Sequence, residues 1–277
     1  MNGNGSFAIR RFGAEELDAM VALSAGVGWN QSADEIGEII ARSGKYLLGA
    51  FAGNELVGVA AGYPYRGSGF AYINEVIVRE DWRRRGAATA LLDELLPLVT
   101  KDYPVLRLCA TAMGRPIYER FGFFPYATLS FGDFSSSADA PAADGDVVPL
   151  TDRELPQACR LDRANFGADR TALIRSLARR APSDAWCLVR GGQVAGFVVR
   201  ASMNWLFQCS SAADMAALLL YANAHSPAGA LPALIHREHA ELLGVPFNEH
   251  FSLTLMQRGS SIPPPDVTFS GFLPDIG

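Results

Sequence analysis

In the first half of the chain, hydrophobic and polar residues alternate in the way that β-strands require. Phe7–Arg11, Val105–Ala110 and three segments within residues 46–78 have a period of two or are continuously apolar, with turn residues near Asn54 and Gly67. Apolar runs of this length between turn residues predict strands. The pattern therefore predicts at least five strands in this half, and three of them follow one another directly.

Other segments of the first half place apolar residues at helical spacing. They are Glu15–Leu23, the stretch that follows Ser32 as far as Ala41, and Gly86–Leu96. Ser32 and Glu35 form a capping box, which marks the start of a helix. Pro97 is expected to kink or end the third helix. Strands that alternate with helices predict an α/β fold with a mixed central sheet flanked by helices.

The second half repeats this order of patterns in outline after a stretch rich in Ser, Ala, Asp, Pro and Gly. That stretch, residues 135–145, predicts a linker between a domain at 1–134 and a domain at 146–277. Gly191-Gly192 predicts a hairpin turn, and the tail from Pro263 is expected to be irregular or extended. The predicted helices are Arg153–Arg163, Arg170–Arg179 and Ala212–Ala222, and the predicted strands are Ala185–Arg190, Val194–Ala201 and Trp205–Ser210.

Composition narrows the class of protein and of partner. The chain has 277 residues, enough for two cores, and 49% of them are hydrophobic. A net charge of −5 gives no general attraction to nucleic acid or anionic membranes, and no apolar run reaches the ~20 residues of a membrane-spanning helix. The N-terminus lacks an apolar signal core, and the four cysteines lack paired spacing. We therefore expect a cytoplasmic protein with reduced thiols that binds neither nucleic acid nor membrane.

The sequence contains no motif typical of a metal site. His236 and His239 are three residues apart and do not form the His-Glu-x-x-His arrangement of zinc enzymes. We expect these two histidines on the solvated face of a helix. The cysteines are scattered rather than paired, so we expect no metal.

The segment around Arg83–Arg85 combines a strand, a basic turn and the start of a helix. Val76-Ile77-Val78 precede the arginines and Gly86-Ala87-Ala88 follow them. A helix N-terminus carries unpaired backbone N–H groups and partial positive charge, and residues without bulk let a phosphate approach it. The arginines add charge-assisted donors. The segment predicts a diphosphate site, with a solvated basic turn as the alternative.

Two motifs resemble those of the GNAT superfamily, the acyl-CoA-dependent N-acetyltransferases. Arg83-x-x-Gly86-x-Ala88 resembles the family's pyrophosphate motif, and Tyr118-Glu119-x-x-Gly122-Phe123 resembles its second motif, in the family's order and spacing. Similarities at residues 28–31, 110–118 and 161–170 extend the resemblance to nearly the whole chain. They are typical of the two-domain bacterial subgroup called YitH/HolE-type.

The resemblance implies a tandem fold, with a catalytic domain at 1–134 and a degenerate GNAT-like domain after the linker. It also implies direct transfer of an acetyl group from acetyl-CoA, as co-substrate, to a primary amine, with Tyr118 as the acid for the departing thiolate. Glu75 adjoins the strand segment that would bind the cofactor and is the candidate base. Because the second half has Ser210–Asp214 in place of the arginine turn, we expect one CoA site and an acceptor cleft sized for a small-molecule amine. The implied CoA-binding residues are Val76, Ile77, Val78, Arg83, Arg84, Arg85, Gly86, Ala87, Ala88, Thr89 and Thr111, and the implied acceptor-binding residues are Trp29, Asn30 and Glu75.

Several roles stay open at this stage. Glu75 either serves as the base or points outward to an arginine, and Trp29 either walls the acceptor site or only packs a helix. Tyr118 is either the acid or a core tyrosine. Asp162 and Arg170 form a structural ion pair or face the cleft between the halves. A sensor that binds acyl-CoA without catalysis, and an acyltransferase for longer acyl chains or protein amines, are the rival functions.

Overall fold

The computed structural model describes residues 6–29, 31–134, 144–201, 204–240, 242, 245–262 and 269–270. It confirms the predicted α/β fold. The strands are β1 (Ala8–Arg11), β2 (Leu47–Ala52), β3 (Glu55–Pro64), β4 (Phe70–Val78), β5 (Val105–Ala110), β6 (Phe124–Phe134), β7 (Asp146–Pro149), β8 (Ala185–Arg190), β9 (Gln193–Arg200), β10 (Trp205–Cys209), β11 (Ala233–His236), β12 (Phe247–Arg258) and β13 (Phe269–Ser270). The helices are α1 (Leu17–Gly26), α2 (Ala33–Ser43), α3 (Ala87–Thr100), α4 (Arg115–Arg120), α5 (Leu155–Phe166), α6 (Thr171–Arg180), α7 (Ala212–His225) and α8 (Arg237–Ala240).

All of these strands belong to one mixed sheet. Its order is β1-β2-β3-β4-β5-β12-β6-β11-β10-β9-β8-β7, and β13 pairs with β10 beside this path. Neighbouring strands are antiparallel except in two parallel pairs, β4 with β5 and β10 with β11. Each half therefore runs through antiparallel strands into one parallel pair, which confirms the repeated order of elements that the sequence predicts.

The two halves exchange their strands at the centre of the sheet. β6 of the first half pairs with β11 of the second half, and β12 of the second half pairs with β5 of the first half. β6 and β12 also pair with each other along most of their lengths. The predicted boundary between residues 134 and 146 thus separates two stretches of chain whose strands interleave in space. β5 and β11 therefore each take a partner strand from the other half.

One face of the sheet carries a hydrophobic core that both halves share. Met20 of α1, Ile36 of α2, Tyr72 of β4, Ile174 of α6 and Phe197 of β9 belong to the same buried cluster. Helices α3 and α7 pack in two separate clusters against alternating residues of the same strands, on the opposite face. The shared core therefore places α1 and α2 of the first half beside α5 and α6 of the second half.

The helix boundaries confirm one local prediction and correct another. The Ser32 hydroxyl accepts the Glu35 N–H at 3.3 Å and the Glu35 carboxylate accepts the Ser32 N–H at 2.9 Å, which is the predicted capping box. α3 does not end at Pro97 but continues to Thr100. Buried leucine and valine side chains on both sides of Pro97 hold this last turn against the sheet. No helix in the described part of the chain is both long and apolar enough to span a membrane.

Asp162 and Arg170 form a buried ion pair between α5 and α6. The guanidinium donates to the two carboxylate oxygens at 2.6 and 3.1 Å, and neither side chain is more than 1% exposed. Arg170 also lies over the Phe166 ring, with its guanidinium carbon 3.9 Å from the ring centroid. Of the two alternatives, the structural ion pair is therefore the one that the fold contains.

The prediction that His236 and His239 lie on a solvated helix face is wrong. His236 ends β11 and His239 lies in α8, and the side chains are only 4% and 5% exposed. Their ring centroids are 5.5 Å apart. The described residues contain no group of three or more metal-ligating side chains. Burial, and to a smaller extent the charge of His239, lowers the pKa of His236 from 6.5 to about 4.

This histidine is expected to make the fold sensitive to mild acid. The unfolded chain binds a proton near pH 6.5 and the folded chain only near pH 4, so stability falls as the pH drops through this window. The expected loss between pH 7.5 and pH 5 is about 2 kcal/mol. Urea unfolding at the two pH values measures it. His236→Gln should remove most of the difference, whereas His225→Gln, at an exposed position, should retain it.

Candidate active site

β4 and β5 diverge and leave a slot between them. They pair only from Phe70 opposite Val105 to Tyr72 opposite Arg107, and the described residues show no further pairing between the two strands. The other edge of β5 is occupied by β12. The edge of β4 from residue 73 to Val78 therefore faces an open slot, where an extended ligand with amide groups can pair as an added strand does.

A β-bulge lies in β4 beside this slot. Glu75 and Val76 lie opposite the single residue Ala60 of β3, because Val59 pairs with Ile77 and Ala61 with Asn74. Glu75 adopts a left-handed conformation with φ of +52°, which costs a residue with a side chain about 1–2 kcal/mol. The extra residue shifts the alternation of side chains, so that the bulge redirects Glu75 away from the regular β4 pattern.

The Glu75 side chain is buried and hydrogen-bonded to the segment between α1 and α2. It is 1% exposed, and its Oε1 accepts a hydrogen bond from Gln31 Nε2 at 3.3 Å. The Ser24 hydroxyl, at the end of α1, donates in turn to Gln31 Oε1 at 2.7 Å. Of the two alternatives for Glu75, the one in which it points outward to an arginine is therefore wrong.

The start of α3 is open to an anion. Gly86 is the N-cap residue, adopts φ of +86° and has no side chain to cap the helix, while its carbonyl accepts the Ala90 N–H at 2.9 Å. The N–H groups of the first turn, at residues 87–89, have no acceptor within the helix. A Cβ atom at Gly86 would meet no atom within 4 Å outside the adjacent residues and the helix backbone, so the space beside this residue is open.

Three arginines surround this helix start. Arg83, Arg84 and Arg85 are exposed, and within the described residues none of them forms an ion pair. Arg83 Nε donates to the Val78 carbonyl at 3.2 Å, which holds the arginine against the end of β4. The Arg85 guanidinium lies 4.9 Å from the centroid of the Trp82 ring. Positive charge is thus concentrated where the slot meets the helix N-terminus.

Tyr118 lies in α4, which follows the end of β5 on the other side of the slot. It is 9% exposed and packs edge to face on Phe123 with ring centroids 6.0 Å apart. Thr111 forms the turn before α4, where its hydroxyl accepts the Gly114 N–H at 3.1 Å. Burial raises the pKa of the Tyr118 phenol, and it raises the pKa of the nearby Cys109, a free thiol, to about 12. The surroundings therefore favour protonated phenols and thiols.

The structure describes only some of the residues that were predicted to bind the acceptor. Trp29 is half-buried against the core that the two halves share. Its backbone N–H donates to the Ser24 carbonyl at 3.1 Å. Asn30 lies outside the described residues. Ser24 and Gln31, which hold Glu75, were not predicted. Gln31 belongs to the segment 28–31 that the sequence singles out, but its burial depends on the fold.

In the second half, the N-terminus of α7 corresponds to the helix start at Gly86, and it is capped. α7 begins after Ser211, whose hydroxyl accepts the Asp214 N–H at 3.1 Å. Asp214 is 2% exposed and bonds Arg190 at 2.6 Å. A side-chain cap and a buried carboxylate thus occupy the position that the first half leaves open, which makes it unfavourable for phosphate.

The chain also occupies the second slot. β10 and β11, the parallel pair of the second half, are joined at Trp205 opposite Ala233. Farther along β10, Gln208 and Cys209 pair with β13, the tail strand. The position along β10 that corresponds to the open edge of β4 is therefore filled by the protein itself.

Comparison with known proteins shows which domain family and which relative the chain is similar to. Residues 27–128 match the model of the acetyltransferase (GNAT) domain. The chain is 22% identical over 241 residues to YitH, an uncharacterized N-acetyltransferase of Bacillus subtilis strain 168, with 82% of each chain covered.

Solved structures share the fold over most of the chain. A putative acetyltransferase from Pyrococcus horikoshii has a TM-score of 0.77 at 20% identity, with 100% of this chain and 98% of that chain covered. A GCN5-related N-acetyltransferase from Anabaena variabilis has a TM-score of 0.62 at 15% identity, with coverages of 91% and 72%. Gly86 and Tyr118 both lie within residues 27–128, the part of the chain that matches the acetyltransferase (GNAT) domain.

Proposed function

We propose that the protein transfers an acetyl group from acetyl-CoA to the primary amine of a small molecule, by direct attack in a ternary complex. The observation that carries the proposal is the open slot beside β4, which ends at an uncapped helix start with exposed arginines. The family supports an acyltransferase, and these groups suit a thioester with a diphosphate.

The residues present fit CoA at both ends of the slot. The pantetheine amides would pair with backbone groups of Val76–Val78, and the diphosphate would accept N–H groups of residues 87–89 together with Arg83–Arg85. The absence of a side chain at Gly86 leaves room for the phosphate oxygens. Thr111 lies at the end of β5, across the slot from β4, and would contact the cofactor from that side.

The acyl transfer requires two proton movements. The amine nitrogen attacks the thioester carbonyl carbon, a C–N bond forms and the C–S bond breaks. The amine loses its proton to the Glu75 carboxylate, directly or through one water, and the departing thiolate takes a proton from the Tyr118 hydroxyl. The products are an acetylated amine and CoA with a free thiol.

The apolar surroundings of Tyr118 support its role as the acid. Because burial raises the pKa of this phenol, it stays protonated across the physiological range. The same surroundings raise the pKa of the neighbouring Cys109 thiol to about 12. Burial in the same surroundings would also raise the basicity of a departing thiolate, so that the proton affinities of thiolate and phenolate rise together.

Contacts between the halves support a small acceptor. Ser176 and Arg180 of α6 both donate to the Glu38 carboxylate of α2, each at 2.8 Å. These bonds hold the second half against the layer of α1 and α2, and the segment between these two helices carries Trp29 and Gln31. Such a cover leaves less room for the lysine of a folded protein than for a free amine.

An assay of thiol release from acetyl-CoA with a panel of amines tests the proposal. We expect turnover with one class of small primary amines. Binding of acetyl-CoA without thiol release would favour a sensor. Turnover limited to longer acyl-CoA, or to intact proteins, would favour the corresponding rival acyltransferases.

One molecule of acetyl-CoA per chain is expected. The second slot is filled by β13, and the second helix start is capped by Ser211 and carries Asp214. Calorimetric titration measures the stoichiometry, and binding of two molecules per chain would contradict the proposed role of the second half as a cover for the acceptor.

A further inference from the structure

A buried chain of hydrogen bonds connects α1 to the bulge of β4. Ser24, Gln31 and Glu75 are 0%, 5% and 1% exposed. Ser24 Oγ donates to Gln31 Oε1 at 2.7 Å, and Gln31 Nε2 donates to Glu75 Oε1 at 3.3 Å. Three polar side chains from three separate segments thus meet in a place where an unsatisfied polar group would cost about 1–3 kcal/mol.

The order of the bonds fixes the orientation of the amide. A glutamine presents one acceptor and two donors, and a serine hydroxyl that donates to the oxygen turns the NH₂ group toward the carboxylate. Hydrogen bonds to a carboxylate favour its ionised form. Gln31 therefore holds the Glu75 carboxylate in one orientation.

We propose that Gln31 is the positioning residue for Glu75 in acyl transfer. The inference rests on the proposed function and adds a residue to it. Glu75 reaches the site through a backbone bulge with φ of +52°, so its main chain is fixed while its long side chain needs a separate support. Gln31 supplies that support from the segment that also carries Trp29.

Ser24 couples the base to the wall of the acceptor site. Its hydroxyl orients Gln31, and its carbonyl accepts the Trp29 N–H at 3.1 Å. One residue of α1 thus fixes both the amide that holds Glu75 and the backbone of the aromatic residue beside it. The C-terminal end of α1 would thus fix the relative position of the amine and the carboxylate that accepts its proton.

The test compares amines of different basicity. An alkylamine is protonated at neutral pH and needs a base, whereas an amine of low pKa is already neutral and does not. Gln31→Met keeps the length of the side chain and removes the donor. It should lower kcat roughly 10-fold for alkylamines and less than about twofold for low-pKa amines, within the usual contribution of a general base. The KM for acetyl-CoA should not change.

Two further variants separate positioning from folding. Glu75→Gln should show the same selective loss, and adding Gln31→Met to it should cost nothing more, because residues that act as a unit are not additive. Gln157→Met, on α5 of the second half, is the matched control and should behave as wild type. Acetyl-CoA binding by calorimetry shows that each variant is folded.

The outcomes are distinguishable. An active wild type with an equal loss for all amines, or with no loss in Gln31→Met, would refute the positioning role alone. Full additivity in the double variant would refute it as well. A wild type that binds acetyl-CoA and acetylates no amine would refute the proposed function and this inference together. Ser24→Ala, which frees the amide of Gln31, should give a smaller loss with the same selectivity.

Discussion

Replacing Tyr118 by phenylalanine is expected to lower kcat roughly 100-fold, in the range typical of a general acid. The phenol is buried in α4 beside Cys109, in surroundings that raise the pKa of both groups. A thiolate released there without a proton donor would be unstable. The ring itself packs on Phe123 and remains in the variant, so the affinity for acetyl-CoA should change little. Steady-state kinetics and calorimetry measure the two quantities.

Tyr46→Phe is the matched control for this variant. Tyr46 is 5% exposed, and its hydroxyl donates to Asp102, away from the slot. This substitution removes a buried hydroxyl of the same kind and should leave kcat unchanged. If Tyr118→Phe has a kcat within twofold of wild type, Tyr118 is a packing residue and the acid lies elsewhere. If both variants lose activity equally, the effect is one of stability.

Local signals in the sequence were sufficient to predict most of the elements and the glycine at the start of α3, but not β7, β11 and β12. The capping box at Ser32 and the glycine at position 86 are short-range features, since each depends on a few neighbouring residues and its own backbone conformation. Hydrophobic periodicity similarly located most helices and strands to within a few residues. The third helix was predicted to reach Leu96 but continues to Thr100, because buried side chains on both sides of Pro97 hold it against the sheet.

The pairing of the strands could not be predicted from the pattern. An alternation of apolar and polar residues shows that a strand has a buried face. It does not show which strand lies beside it. The exchange of β6 and β12 between the halves, and the insertion of β13 beside β10, are long-range pairings of this kind. They explain why a chain with two similar halves has one open slot.

The bulge at Glu75 and the hydrogen bond from Gln31 also could not be predicted from local sequence signals. Glutamate rarely adopts a positive φ, so nothing in the sequence marks Glu75 as the residue that leaves the regular strand. Gln31 is a polar residue between two helices, which is ordinarily a solvated position. Both are buried only because α1 and α2 pack on the sheet beside β4.

Replacing Gly86 by glutamate is expected to weaken acetyl-CoA binding roughly 100- to 1000-fold, or about 3–4 kcal/mol. Gly86 is exposed at the start of α3, and a Cβ atom there would meet no atom within 4 Å outside the adjacent residues and the helix backbone. The new carboxylate would therefore lie in front of the helix N-terminus and beside Arg83–Arg85. It would bind the same backbone N–H groups and guanidinium groups that the diphosphate needs, and it would repel the phosphates.

Two controls separate this competition from backbone strain. Gly192→Glu places the same charge at a glycine with φ of +78°, also with no atom within 4 Å, in the hairpin turn of the second half. It should bind acetyl-CoA as wild type does. Gly86→Ala imposes the strain without the charge and should lose much less affinity than Gly86→Glu. Unchanged affinity in Gly86→Glu, measured by calorimetry on folded protein, would refute the diphosphate site, because only that site requires the space before α3 to remain empty.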